Sequence, residues 1–218
     1  MQRKKNRVIK TAAILLSIMA LLLGLFVSQS MHRTSKFDHS RFHGTWLDEP
    51  RKMSDFNLTS TQGPFTNAGL QHQWTMMFFG FTTCPSVCPT TMAELAKMTQ
   101  ILEKEGVTPM PRVILVSLDT ERDTLEKLQQ YVTAFHPTFV GARGENPEAV
   151  KTMANEVGVA YTKVALPGDK NPQHYNIEHT GTVMLFNPEG KLSAFFTMPH
   201  HAKSLAQDYQ LAIAPDRG

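Results

Sequence analysis

Residues 74–92 read WTMMFFGFTTCPSVCPTTM, and they hold both cysteines of a 218-residue chain. The first half, Trp74 to Phe81, is almost wholly apolar, and an unbroken apolar run of about 4 to 8 residues marks a strand buried on both faces. The cysteines begin where that strand stops. After Pro89 the register changes: Met92, Leu95, Met98, Ile101 and Leu102 recur with a helical period, and Gly106 stands just past the end. A buried strand thus runs through a CxxxC segment into a helix.

Outward from this stretch the alternation continues. VILVSL reads as a second buried strand, and LEKLQQYVTAF as a helix with Leu125, Leu128 and Val132 on one face. Asn146 and Pro147 suit an N-cap and first helical position, starting a third helix through Val157. Gly181–Phe186 and Leu192–Phe196 read as strands divided by the turn NPEG, and Ala202–Ala212 as a closing helix. Before the first strand, Phe56–Asn67 alternates apolar and polar residues around a Gly-Pro turn, as a hairpin does. The pattern predicts an α/β sandwich with a central mixed sheet and an N-terminal hairpin, in the thioredoxin layout. In open α/β sheets, sites form at the carboxyl ends of the strands, where the cysteines lie.

The composition, 41% hydrophobic and 19% charged, is that of a globular protein. Six of the 22 Lys and Arg residues fall within residues 1–33, where there is no Asp or Glu. The remainder carries 16 basic against 19 acidic side chains, which gives no composition argument for nucleic-acid binding. Within that basic end lies TAAILLSIMALLLGLFV, Thr11–Val27, at the short end of the roughly 17 to 25 residues that span a bilayer. The preceding Arg and Lys keep the amino terminus in the cytoplasm, which places the rest across the inner membrane, periplasmic or otherwise extracytoplasmic. A cleaved signal peptide ending near Ser28 and Ser30 is the alternative, and it exports the domain equally. The expected organisation is a basic cytoplasmic tail (1–10), a single transmembrane helix (11–28), a tether (29–53) and the sandwich domain (54–214).

Export makes the oxidation state of the thiols a variable. With both cysteines in the first helical turn, their spacing puts them about 6 Å apart, inside the range of about 4.4 to 6.8 Å open to a disulfide and workable for a metal ion. Structural zinc expects four protein ligands, and there is no second cysteine pair. Two thiolates with one imidazole suit copper, as Cu(I) or Cu(II). Spacing alone does not choose among disulfide exchange, metal binding and an inert pair. Nor does it choose among the nine histidines: His32, His39 and His43 lie in the tether without fixed geometry, and His200 and His201, with Met198, read more plainly as a solvated turn than as a secondary copper patch.

GFTTCPSVCPTT, VSLDTERDT and YNIEHTGTVMLFNPEG resemble, in order and interval, the motifs of the Sco (SenC) family, membrane-anchored thioredoxin-like copper proteins. The likeness covers nearly all of Asp55–Leu211. It implies one copper ion held by Cys84, Cys88 and His179, with Asp119 orienting the site without ligating it. It also implies a metallochaperone delivering copper to the dinuclear copper site of a cytochrome c oxidase subunit, with periplasmic thiol or copper-carrier proteins as further partners. The alternative is a thiol-disulfide oxidoreductase, with Cys84 and Cys88 as its redox pair, that keeps the acceptor's cysteines reduced. Peroxide reduction has less support, since there is no separate resolving cysteine. The chain departs from the family pattern at Ser86, usually Asp, at Thr120, usually Pro, and at Glu178, usually Asp.

Overall fold

The computed structural model describes residues 15–24, 39–168, 171 and 174–214. The chain divides into two units, residues 1–37 with 214–218, and Asp38–Ile213. In the first, residues 15–24 form a helix (α1) whose large apolar side chains are exposed. Among the described residues no helix is long and apolar enough to cross a membrane. Residues 11–14 and 25–28 of the expected anchor lie outside the described residues, as do the tail and the tether up to residue 38.

The second unit is built on an eight-stranded mixed sheet. Its centre is β4 (Thr75–Gly80), β5 (Arg112–Ser117) and β6 (Val140–Arg143), parallel to one another. Parallel neighbours need crossovers, supplied by α3 (Val87–Lys104) between β4 and β5 and α4 (Leu125–Phe135) between β5 and β6. Every residue of β4 is buried, which is why its sequence is a continuous apolar run. On one flank β9 (Val183–Phe186) runs antiparallel to β4, followed by β10 (Lys191–Phe196) and β1 (Thr45–Lys52); on the other, β2 (Asn57–Ser60) and β3 (Gly63–Thr66) pair beyond β6. This is the expected mixed α/β sandwich of thioredoxin-like form, with helices α2 (Asn67–Leu70), α5 (Pro147–Glu156) and α6 (Ala202–Ile213) completing it.

Several boundaries differ from the sequence reading. Residues 45–52, expected as tether, form the edge strand β1 on β10. The tether histidines in this region are also placed: His39 lies in a short 3-10 helix, and His43 donates through its backbone N–H and ring to the buried carboxylate of Asp208 in α6. The hairpin turns at Thr61 and Gln62, and Gly63-Pro64 instead opens β3, an outermost strand where the missing N–H of proline interrupts no ladder. Helix α3 starts three residues before Thr90. Its cap is Ser86, so Pro89 occupies the first turn, where N–H groups lack intrahelical partners. A separate two-stranded ribbon, β7 (Tyr161–Ala165) with β8 (Tyr175–His179), had no counterpart in the sequence reading.

Candidate metal centre

The cysteine loop is held from both ends. Cys84 N–H donates to the carbonyl of Phe81, just past β4, at 3.3 Å. Thr82 is fixed by Asp123: the buried carboxylate accepts from the Thr82 backbone N–H (3.1 Å), from its hydroxyl, and from the hydroxyl of Ser117 at the end of β5 (2.6 Å). Cys88 lies in the first turn of α3, fully buried, whereas Cys84 precedes the helix and is partly exposed. The two were expected on the same helical turn. They meet by another route, because the Cys88 N–H at the helix start points at Cys84 Sγ, 3.3 Å away. Gly80 makes room beneath them: a Cβ there would fall 2.8 Å from Cys88 Sγ.

The third group arrives from the ribbon. His179 ends β8 opposite Tyr161 of β7, and the following Thr180 exchanges backbone and hydroxyl hydrogen bonds with Ala160. The imidazole packs against Phe78 and Phe81, each with ring centres 5.9 Å away. Nδ1 donates to the Thr180 carbonyl at 3.1 Å, which leaves Nε2 facing Cys88 Sγ at 3.4 Å. A hydrogen bond at one ring nitrogen sets which face of the ring can ligate. The ligand atoms of Cys84, Cys88 and His179 all lie within 4.8 Å of one another, and among the described residues no other group of three or more His, Cys, Asp or Glu converges this way.

The thiols are electrostatically unequal. The Cys88 thiol hydrogen-bonds Cys84 and, against the opposing effect of burial, holds its pKa down at about 4; the His179 ring and the N–H groups of Cys88 and Ser86 add to this. The negative sulfur of Cys84 and burial together push the Cys88 thiol up. The pair thus carries one negative charge on its more exposed sulfur and one proton on its buried one. Two sulfurs and an imidazole nitrogen make a donor set that fits a thiophilic ion with a vacant coordination position, and copper in either oxidation state suits it.

Asp119 does not touch the three. Its buried carboxylate accepts from the Arg122 side chain and from the Tyr175 hydroxyl at 2.7 Å, and Arg122 in turn donates to the Tyr175 carbonyl at 2.9 Å and lies 3.8 Å over its ring. Tyr175 opens β8, the strand that delivers His179. Asp123, which sequence reasoning passed over, has the more direct hold on the cysteine loop. Its only sequence signal was a second aspartate in DTERDT. Ser86 is exposed at the cap of α3. The MPHH turn is only partly solvated: His200 is half-buried and its Nε2 donates to the Gly181 carbonyl at 2.7 Å, while Met198 and His201 are exposed.

Known proteins resemble this chain in sequence and in fold. The SCO1/SenC family model matches residues 45–214, which includes β1. A mitochondrial SCO1 homolog 1 of Arabidopsis thaliana is 34% identical over 152 residues; these are 69% of this chain, but the match spans only 43% of that relative's length. The crystal structure of Arabidopsis thaliana ScoI with copper bound superimposes with a TM-score of 0.64 at 32% identity, covering 73% of this chain and 95% of that one. The solution structure of apo Sco1 from Thermus thermophilus gives 0.66 at 36% identity, covering 79% and 97%.

Proposed function

The chain belongs to the SCO1/SenC family, and from that premise we propose that its extracytoplasmic domain is a copper metallochaperone serving the dinuclear copper site of a cytochrome c oxidase subunit. One copper ion is its cargo, held by Cys84, Cys88 and His179. The observation that carries this reading is the convergence of those three donor atoms within 4.8 Å. Asp123 keeps the thiol loop in place, the Asp119–Arg122–Tyr175 cluster braces the strand bearing His179, and the Thr180 carbonyl fixes the imidazole so that Nε2 faces the thiols. Three ligands leave a coordination position through which an acceptor's thiolate or imidazole enters, so that cargo leaves by stepwise ligand exchange. A membrane-spanning segment over residues 11–28 would keep the domain at the membrane surface where the oxidase assembles. Copper titration of the purified protein tests the reading: one copper per chain with a sulfur-to-copper charge-transfer band supports it, and absence of stoichiometric binding overturns it.

A second reading has its own observation. Cys84 is partly exposed with its pKa held at about 4, whereas Cys88 is buried and stays protonated. That division suits a thiol-disulfide oxidoreductase: the Cys84 thiolate attacks one sulfur of the partner's disulfide and the other leaves as a thiolate. With the Cys84 charge gone, Cys88 gives its proton to that thiolate, attacks Cys84 and closes the Cys84–Cys88 disulfide, the partner's second sulfur leaving as a thiolate. The partner's disulfide gains the two electrons that this pair loses. Measuring the reduction potential of the pair decides it, since a value well above the acceptor's leaves no driving force.

A further inference from the structure

We propose that Met198 and His200, in the turn between β10 and α6, are positioning residues for His179: they hold the Thr180–Gly181 peptide, whose carbonyl sets the direction of Nε2. Through that direction they govern how well the centre retains Cu(II) relative to Cu(I), a consequence that rests on the metallochaperone reading, whereas the orientation of the ring does not.

Gly181, two residues after His179, is buried and is gripped by the turn on two sides. His200 donates from Nε2 to the Gly181 carbonyl at 2.7 Å. Met198 lies against the Gly181 Cα: a Cβ built there would fall 2.5 Å from Sδ, 2.9 Å from the terminal methyl and 3.0 Å from Cγ. Glycine lets the thioether come this close. The peptide unit on the amino side of that Cα carries the Thr180 carbonyl, which accepts from His179 Nδ1 at 3.1 Å. A peptide unit is planar, so this carbonyl turns only by rotation about its two flanking Cα atoms. The ribbon holds the Thr180 side, where the Thr180 N–H donates to the Ala160 carbonyl at 3.0 Å and the Thr180 hydroxyl accepts from the Ala160 N–H at 3.2 Å. On the other side stands the most permissive residue of all. Met198 and His200 take that freedom away.

The hold of His200 is directional. A carbonyl only accepts, so the ring proton is on Nε2, and among the described residues Nδ1 is shielded from solvent without a hydrogen-bond partner. Burial lowers the His200 pKa and keeps the ring neutral, so it acts on the centre through geometry and not through charge. Cu(II) needs the nitrogen of His179, whereas two thiolates retain Cu(I). A His179 ring free to turn therefore costs Cu(II) selectively.

The test reads the ring first without metal, by 15N shifts of the histidines in the reduced, copper-free full-length chain in detergent. The wild type should show the His179 proton on Nδ1. His200→Leu, which removes the donor and keeps apolar bulk, should give a mixture of the two His179 tautomers; His200→Gln, whose amide can donate to the Gly181 carbonyl, should restore the wild-type pattern. In copper titrations His200→Leu should weaken Cu(II) by about tenfold and leave Cu(I) unchanged, and it should add nothing in a His179→Ala background. Met198→Ala should move both readouts in the same direction, and decides the matter if His200→Leu does not fold. A His179 ring and Cu(II) affinity that do not respond to these substitutions overturn the proposal, as does an equal loss of Cu(II) and Cu(I), the mark of a general structural role. A wild type that binds no copper while its His179 ring still responds to His200→Leu sinks the metallochaperone reading and upholds the positioning.

Discussion

Cys88 Sγ stands 3.4 Å from Nε2 of His179, although 91 residues separate them in the chain. One is fixed by the first turn of α3, the other by the end of a small ribbon that lies outside the main sheet. Their meeting depends on the packing that holds those two elements.

Cys84 should behave as a thiolate far into acid. In the copper-free reduced protein its pKa is held at about 4, so the charged form persists at every pH above that value and is lost only as pH falls through it. Iodoacetamide should therefore label Cys84 at a nearly constant rate from about pH 8 down to about pH 5, whereas an ordinary thiol loses reactivity below about pH 8.5. Cys88, buried and protonated, should stay unlabelled until the protein unfolds. Peptide mapping after pulse alkylation reads both sites, and a rate at Cys84 that drops tenfold per pH unit below about pH 8 contradicts the expectation.

Gly80→Ala should disturb the centre without touching a ligand. The added Cβ meets Cys88 Sγ at 2.8 Å, Phe78 Cε1 at 3.0 Å and Leu115 Cδ1 at 3.1 Å, all in the closed core. Overpacking of this kind costs about 1 to 3 kcal/mol. The expected outcome is a lower urea midpoint together with weaker copper binding, because relief comes by pushing the thiol away. Unchanged stability and affinity would show that the core yields there freely.

Asp123→Ala removes the acceptor shared by the Thr82 N–H, the Thr82 hydroxyl and the Ser117 hydroxyl. A donor left unpaired in a closed site costs about 1 to 3 kcal/mol, and because the two hydroxyls can turn to other acceptors while the Thr82 N–H cannot, a loss of about 1 to 3 kcal/mol is expected. Denaturant unfolding measures it. The same variant should raise the exchange rate of the Thr82 amide, a change that a loop held by other contacts would not show.

The legible parts of the fold were those whose residues are buried on both faces. β4 and β5 announced themselves as apolar runs, α4 by Leu125, Leu128 and Val132 on one face, and α5 by a capping residue that does cap, since Asn146 Oδ1 accepts from Ala149 N–H. β1 was hidden because it is an edge strand with most residues exposed, TWLDEPRK, whose charges and proline suit an edge but read as tether. β7 was hidden for the same reason, since four of its five residues are exposed. The site divided in a similar way. CxxxC at a strand end marked the thiols, but no local pattern distinguished His179 from eight other histidines; only the family motifs did. Asp119 and Asp123 lie four apart in one loop, and which of them faces the thiol loop is a matter of tertiary packing.

The central claim is that Cys84, Cys88 and His179 hold one copper ion together, and titration of the wild type beside His179→Ala tests it most directly. Nitrogen is needed for Cu(II), whereas two thiolates alone retain the softer Cu(I). The account predicts that His179→Ala loses the Cu(II) charge-transfer band and weakens Cu(II) binding far more than Cu(I) binding. A Cu(II) spectrum and affinity unchanged in that variant would contradict it.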